Sequence, residues 1–118
     1  EKNIDKFFSL HAKKKLNSKE KILALKLLEI QRQAMLMYTS CGWFFSEISG
    51  IETVQIMKYA LMAIDLAKEF SKEDIERGFL NILSKAISNI SDFGTGEDIF
   101  NNFCKPSKID IEKIVKIW

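Results

Sequence analysis

Four residues in the first half of the chain have the side-chain types that hold a polar ligand: Arg32, Trp43, Glu47 and Glu52. Arg32, Thr39 and Trp43 recur at separations of seven and four, and Glu47 follows four residues later. A continuous helix would place them on one stripe. An indole offers a broad apolar face and a single donor, and a guanidinium and carboxylates beside it add directional polar contacts. That combination suits a sugar ring or the surface of a protein partner. The same spacing has a purely structural reading, in which Trp43, Phe44 and Phe45 pack the core and Arg32 pairs with Glu29 or Glu47.

Other chemistry finds little support. His11 is the only histidine, which excludes a histidine-based metal cluster, and Cys41 and Cys104 lack the paired spacing of a zinc site. Cys41 has no nearby base in sequence that would make it a nucleophile, so a small buried residue on the apolar side of its helix is expected. Gly94 and Gly96 are not followed by a lysine and read as a turn before a helix rather than a phosphate cradle. No catalytic residue, metal site or cofactor is predicted. General acid and base candidates do not converge, so a self-sufficient small enzyme is a weak reading.

The 118 residues suit one domain with one core, and 47% hydrophobic against 29% charged residues is the composition of a folded globular chain. Eighteen lysines and arginines face sixteen acidic residues, a net charge of +2, and Arg32 and Arg77 are the only arginines. Nucleic acid is therefore not an expected partner. Two distant cysteines make no disulfide framework and point to a reducing cytoplasm. The longest stretch without charge, Gln33 to Ser46, is too short to span a bilayer, and no membrane partner or signal peptide is expected. A chain that opens on Glu1 without a methionine is expected to be a piece of a longer polypeptide.

Hydrophobic periodicity supplies the elements that must position these residues. An amphipathic segment runs from Ile4 to Lys14, with Ile4, Phe7, Phe8 and His11 on one face. Asn17 or Ser18 caps a second helix, with Glu20 completing a capping box, and this helix is expected to reach Phe45. Ser49 and Gly50 mark a turn before a helix from Ile51 to Phe70, whose apolar residues wrap more than one face and make it central. Ser71 and Asp74 read as a capping box for a helix to about Ile90, with Ile75, Phe79, Ile82, Leu83, Ala86 and Ile90 inward. A loop over Asp92 to Gly96 precedes a short helix from Glu97 to Cys104 closed by Pro106, and Asp110 begins a last helical stretch to Trp118. No segment alternates with period two. The predicted architecture is all-α, a bundle of about four main helices with short connections.

The run from Leu28 to Phe45, continuing through Ile48-Ser49-Gly50-Ile51-Glu52-Thr53-Val54-Gln55, resembles an uncharacterised C-terminal domain of bacterial proteins. The N-terminal part of those proteins is like glycoside hydrolase family 57. Ser88-Asn89-Ile90, the loop Phe93-Gly94-Thr95-Gly96 and Lys105-Pro106 before Ile109-Asp110 also look like that domain. The resemblance implies a helical region that closes over an incomplete β/α barrel, with both catalytic carboxylates in the barrel and neither in this chain. It also implies that Ser40-Cys41-Gly42-Trp43-Phe44-Phe45 is similar to the Trp-centred motif that helps line the glucan site. Gly42 stands where that motif usually has Asp. On this resemblance the chain is an accessory domain packing on the barrel of the same polypeptide, with an α-glucan or related oligosaccharide as ligand and Trp43 as the stacking residue. Arg32, Glu47 and Glu52 join it from the stripe argument. The alternative is a helical protein–protein interaction module that never meets sugar.

Overall fold

A computed structural model describes residues 2–108; the helix expected from Asp110 lies outside them. Among the described residues the chain is all-α, with one isolated antiparallel bridge between Ile87 and Thr95. Four helices of nine residues or more, α1 (Lys2–His11), α2 (Ser18–Leu36), α4 (Ile51–Ala67) and α5 (Ile75–Leu83), are joined by two single-turn helices, α3 (Cys41–Phe44) and α6 (Gly96–Ile99). The α6 turn runs on into a π-helix over Phe100–Cys104 and a 3₁₀ turn over Lys105–Ser107. The assembly is less regular than a four-helix bundle with short connections, because twelve residues, 84–95, lie between α5 and α6.

The helix starts follow from local chemistry. Asn17 Oδ1 accepts from the Glu20 amide at 3.0 Å, and the Glu20 carboxylate accepts from the Asn17 amide at 2.9 Å, satisfying two orphan donors at the head of α2. Thr95 and Asp98 repeat this box at α6. Gly94 supplies the positive φ of 67° that turns the chain into it, and Asp98 stands where a β-carbon at Gly94 would go.

The core forms around α4. Met57, Ala60, Leu61 and Ile64 are buried on it, and Met57 and Leu61 meet Ile99, Phe100 and Cys104, all three fully buried. Phe79 of α5 meets Phe100 edge to face at 5.5 Å between ring centroids, and the Cys104 thiol points at the Val54 carbonyl at 3.7 Å. Helix α2 also packs along α4. Charges lock the end of this layer. Asp65 on α4 bonds Lys68 at 3.0 Å and Lys108 at 2.6 Å, and Glu76 on α5 bonds Lys68 at 2.9 Å and Lys105 at 2.7 Å. Burial pushes the Asp65 carboxyl up, but Lys108 and Lys68 outweigh it and hold the group below its ordinary range.

Two predicted helices stop early. The second was expected to reach Phe45 and ends at Leu36 because Thr39 Oγ1 donates to the Leu36 carbonyl at 2.9 Å, diverting an acceptor the helix needs. The other begins at Ile75 and not after Ser71. Ser71 Oγ accepts from the Glu73 amide in a turn, and Asp74 alone caps, accepting from the Arg77 amide at 3.0 Å. It ends at Leu83 rather than near Ile90, because residues 86–96 fold into a loop in which Ser88 N–H donates to Gly94 O and Gly96 N–H donates to Ala86 O. Ile82 and Ile90, expected inward, are therefore exposed, and so is Ile75 to a lesser degree.

Truncating Phe100 to Ala is expected to cost about 3–5 kcal/mol, while Tyr38→Ala at an exposed site is expected to stay within about 0.5 kcal/mol. Urea unfolding of both variants checks the placement of the core.

Candidate functional site

The predicted stripe does not exist as one helical face. Arg32 is on α2, Trp43 on α3, Glu47 in the loop after it and Glu52 in the first turn of α4. Because the chain breaks between Leu36 and Cys41, the separations of seven and four no longer measure a common direction.

Arg32 makes a two-pronged pair with Glu29, Nε to Oε2 at 2.9 Å and Nη2 to Oε1 at 2.7 Å. This is one of the pairings expected if Arg32 is structural. Bonds from Arg32 and then Gln33 hold the Glu29 carboxyl down to about 2. The guanidinium pKa is raised, chiefly by Glu29 and to a smaller degree by the Tyr59 phenol.

Trp43 does not pack the core. It is 69% exposed, and Phe44, Phe45 and Tyr38 are exposed beside it. Phe44 and Phe45 meet edge to face at 5.3 Å, so residues 38–45 present an aromatic ledge to solvent. The one buried residue of α3 is Gly42. A β-carbon there would fall 2.4 Å from Ile56 Cδ1 and within 2.8 Å of two further atoms of that side chain. Any side chain there would have to displace Ile56, so Gly42 is a packing requirement of the ledge. Cys41, expected to be buried on the apolar side of a continuous helix, is exposed, because that helix ends at Leu36 and Cys41 borders an open cleft.

Beside the ledge lies an open cleft of about 390 Å³. Ile51, Glu52, Gln55, Ile56 and Tyr59 of α4 form one wall, and Thr39 and Cys41 form the other. Glu52 is thus the one predicted site residue that lines it. Sequence reasoning missed Gln55 and Tyr59, although Glu52, Gln55 and Tyr59 recur at steps of three and four, the spacing of a single helix face. The arrangement can bind a polar ligand on an apolar floor. Among the described residues no group of three metal-capable side chains comes together.

Glu47 faces neither ledge nor cleft. Its Oε1 accepts from Ser88 Oγ at 2.6 Å and from the Ser49 amide at 2.8 Å, and its Oε2 accepts from the Asn89 amide at 2.8 Å. Asn89 Nδ2 also donates to the Ser46 carbonyl at 2.5 Å. The Ser88 hydroxyl first, then the Ser49 and Asn89 donors, hold the Glu47 carboxyl down to about 2. Its direct role as a ligand residue is therefore replaced by a structural one.

The sequence comparison that decides the family covers almost the entire chain, residues 1–117. The chain belongs to the family described as Domain of unknown function (DUF3536). No curated protein and no solved structure matches it. The resemblant segment from Leu28 to Gln55 thus falls inside this DUF3536 domain, and it contains the ledge and most of the cleft. No helix among the described residues is long and apolar enough to cross a membrane.

Gly42→Ala is expected to lower stability by about 1–3 kcal/mol, because Ile56 or α3 must shift to admit the methyl group; thermal unfolding checks it. The depressed Glu29 and Glu47 carboxyls, ordinarily at 4.5, contribute stability that is fully present above that value and lost as pH falls through about 2. Unfolding free energy is expected to be level from neutral pH to about 5 and to fall steadily below it. Glu47→Gln should flatten part of that slope in a pH series of urea titrations.

Proposed function

We propose that this domain is the helical accessory part of a bacterial family 57-like glycoside hydrolase, packed in the cytoplasm on the catalytic barrel of the same polypeptide and lending its aromatic ledge to an α-glucan or related carbohydrate site. The exposure of Trp43 carries this reading. A tryptophan 69% open to solvent, with Tyr38 and Phe44 also open, has no use in this chain's own core, and an uncovered indole face stacks well on a sugar ring. The adjoining cleft supplies Glu52, Gln55, Thr39 and Tyr59 as polar groups that can bond ring hydroxyls.

The apolar residues left open elsewhere fit the same reading. Leu23, Leu27 and Leu28 of α2 and Phe7 and Leu10 of α1 are exposed, and a catalytic barrel would cover such a surface. Hydrolysis itself belongs to paired carboxylates in the barrel. The second reading, a protein-interaction module without a sugar role, has the aromatic ledge dock a protein partner, together with those α1 and α2 residues.

Trp43→Ala in the polypeptide that includes the barrel is expected to weaken maltoheptaose binding or turnover roughly tenfold, the loss of one stacking contact of about 1–1.5 kcal/mol, with the melting temperature unchanged. Kinetics identical to the unaltered protein on a substrate it cleaves would overturn the carbohydrate role and favour the interaction module.

A further inference from the structure

The aromatic ledge has almost no apolar anchorage of its own. Tyr38, Trp43, Phe44 and Phe45 are between 55% and 83% exposed, and Gly42, which sits against Ile56, is the one buried residue of α3. Polar bonds at its two ends hold it instead. Near its start, Thr53 Oγ1 donates to the Gly42 carbonyl at 2.7 Å, a buried bond from the first turns of α4. Just past its end, Glu47 and Ser46 bond Ser88 and Asn89, more than forty residues away in sequence. The far partner is itself braced, because Ser88 Oγ accepts from the Ile90 amide at 3.0 Å and Ser88 N–H donates to Gly94 O at 2.9 Å.

We propose that Glu47 is a positioning residue, and that through it the loop 86–95 sets the placement of the ledge that carries Trp43. A carboxylate suits this post because all three of its partners are donors and it is an acceptor at both oxygens. A glutamine cannot replace it, since its amide nitrogen would turn a donor toward an N–H or O–H donor at one end of the clamp. The loop 86–95 is then the second half of the ledge's support although none of its residues touches the cleft. This rests on the carbohydrate reading only for the ligand that the ledge receives; the mechanical link stands on the hydrogen bonds.

Amide hydrogen exchange of the chain tests the link directly. The Trp43 and Phe44 amides donate to the Ser40 carbonyl and report opening of α3, while amides in the middle of α4 report the body of the domain. Glu47→Gln is expected to speed exchange at Trp43 and Phe44 roughly tenfold, the loss of a charge-assisted bond, with the α4 amides at Leu61 and Ile64 little changed. Ser88→Ala removes one partner and should give a smaller increase at the same two amides, and it decides the matter if the Glu47 variant does not fold. Faster exchange at Asn89 and Ser49 with Trp43 and Phe44 unaltered would overturn the proposal, as would an increase through α4 as large as that at Trp43 and Phe44. Maltoheptaose titration of the barrel-bearing polypeptide then separates the two claims. If the unaltered protein binds and Glu47→Gln binds more weakly, the positioning role extends to the ligand. If the unaltered protein does not bind, the carbohydrate reading fails while amide exchange still decides the clamp.

Discussion

Everything in this domain depends on covering a helix that is apolar on more than one side. Helix α4 buries Met57, Ala60, Leu61 and Ile64 on one face and half-buries Val54, Ile56 and Leu66 around it, more circumference than a single neighbour screens. The chain screens it twice, with α2 and with the α6 and π-helical segment. The first cover requires α2 to stop and the chain to double back at residues 37–50, which creates the ledge. The second requires a return path from α5, which creates the loop 86–95. Both irregular segments, and with the first of them the cleft beside the ledge, are by-products of enclosing α4.

Most local signals in the sequence held, the Ser71 and Asp74 box being the exception. The Asn17 and Glu20 box, the turn at Ser49 and Gly50, the loop at Gly94 and the centrality of the Ile51 helix are all decided by residues within a few positions of one another. The ends of α2 and α5 were not legible. Apolar periodicity continues past Leu36 and past Leu83; α2 gives way where the Thr39 hydroxyl takes the Leu36 carbonyl, and the segments that follow each helix are fixed by distant contacts, Gly42 against Ile56, and Ser88 and Asn89 on Glu47 and Ser46.

The site was half legible for the same reason. Trp43 and Glu52 could be picked out by type; the structure exposes Trp43 on the ledge and sets Glu52 in the wall of the cleft. Arg32 had a partner three residues away that competes for its charge, and that local pairing won. Glu47 has the type of a ligand residue, yet its role is set by donors that the sequence separates from it by forty-one and forty-two residues. Spacing cannot reveal such a contact, because it is a property of the tertiary loop arrangement rather than of any single helix face.

The two thiols ended in opposite surroundings. Cys104 is fully buried, and burial pushes its thiol pKa up, which keeps it in the unreactive protonated form. Cys41 is exposed on the wall of the cleft, opposite Glu52 and Tyr59. One of the two thiols thus lies in the core and the other stands at the mouth of the cleft. A maleimide fluorophore or spin label would attach there without entering the core, and its signal would follow occupancy of the cleft and movement of the aromatic segment in the otherwise unmodified chain.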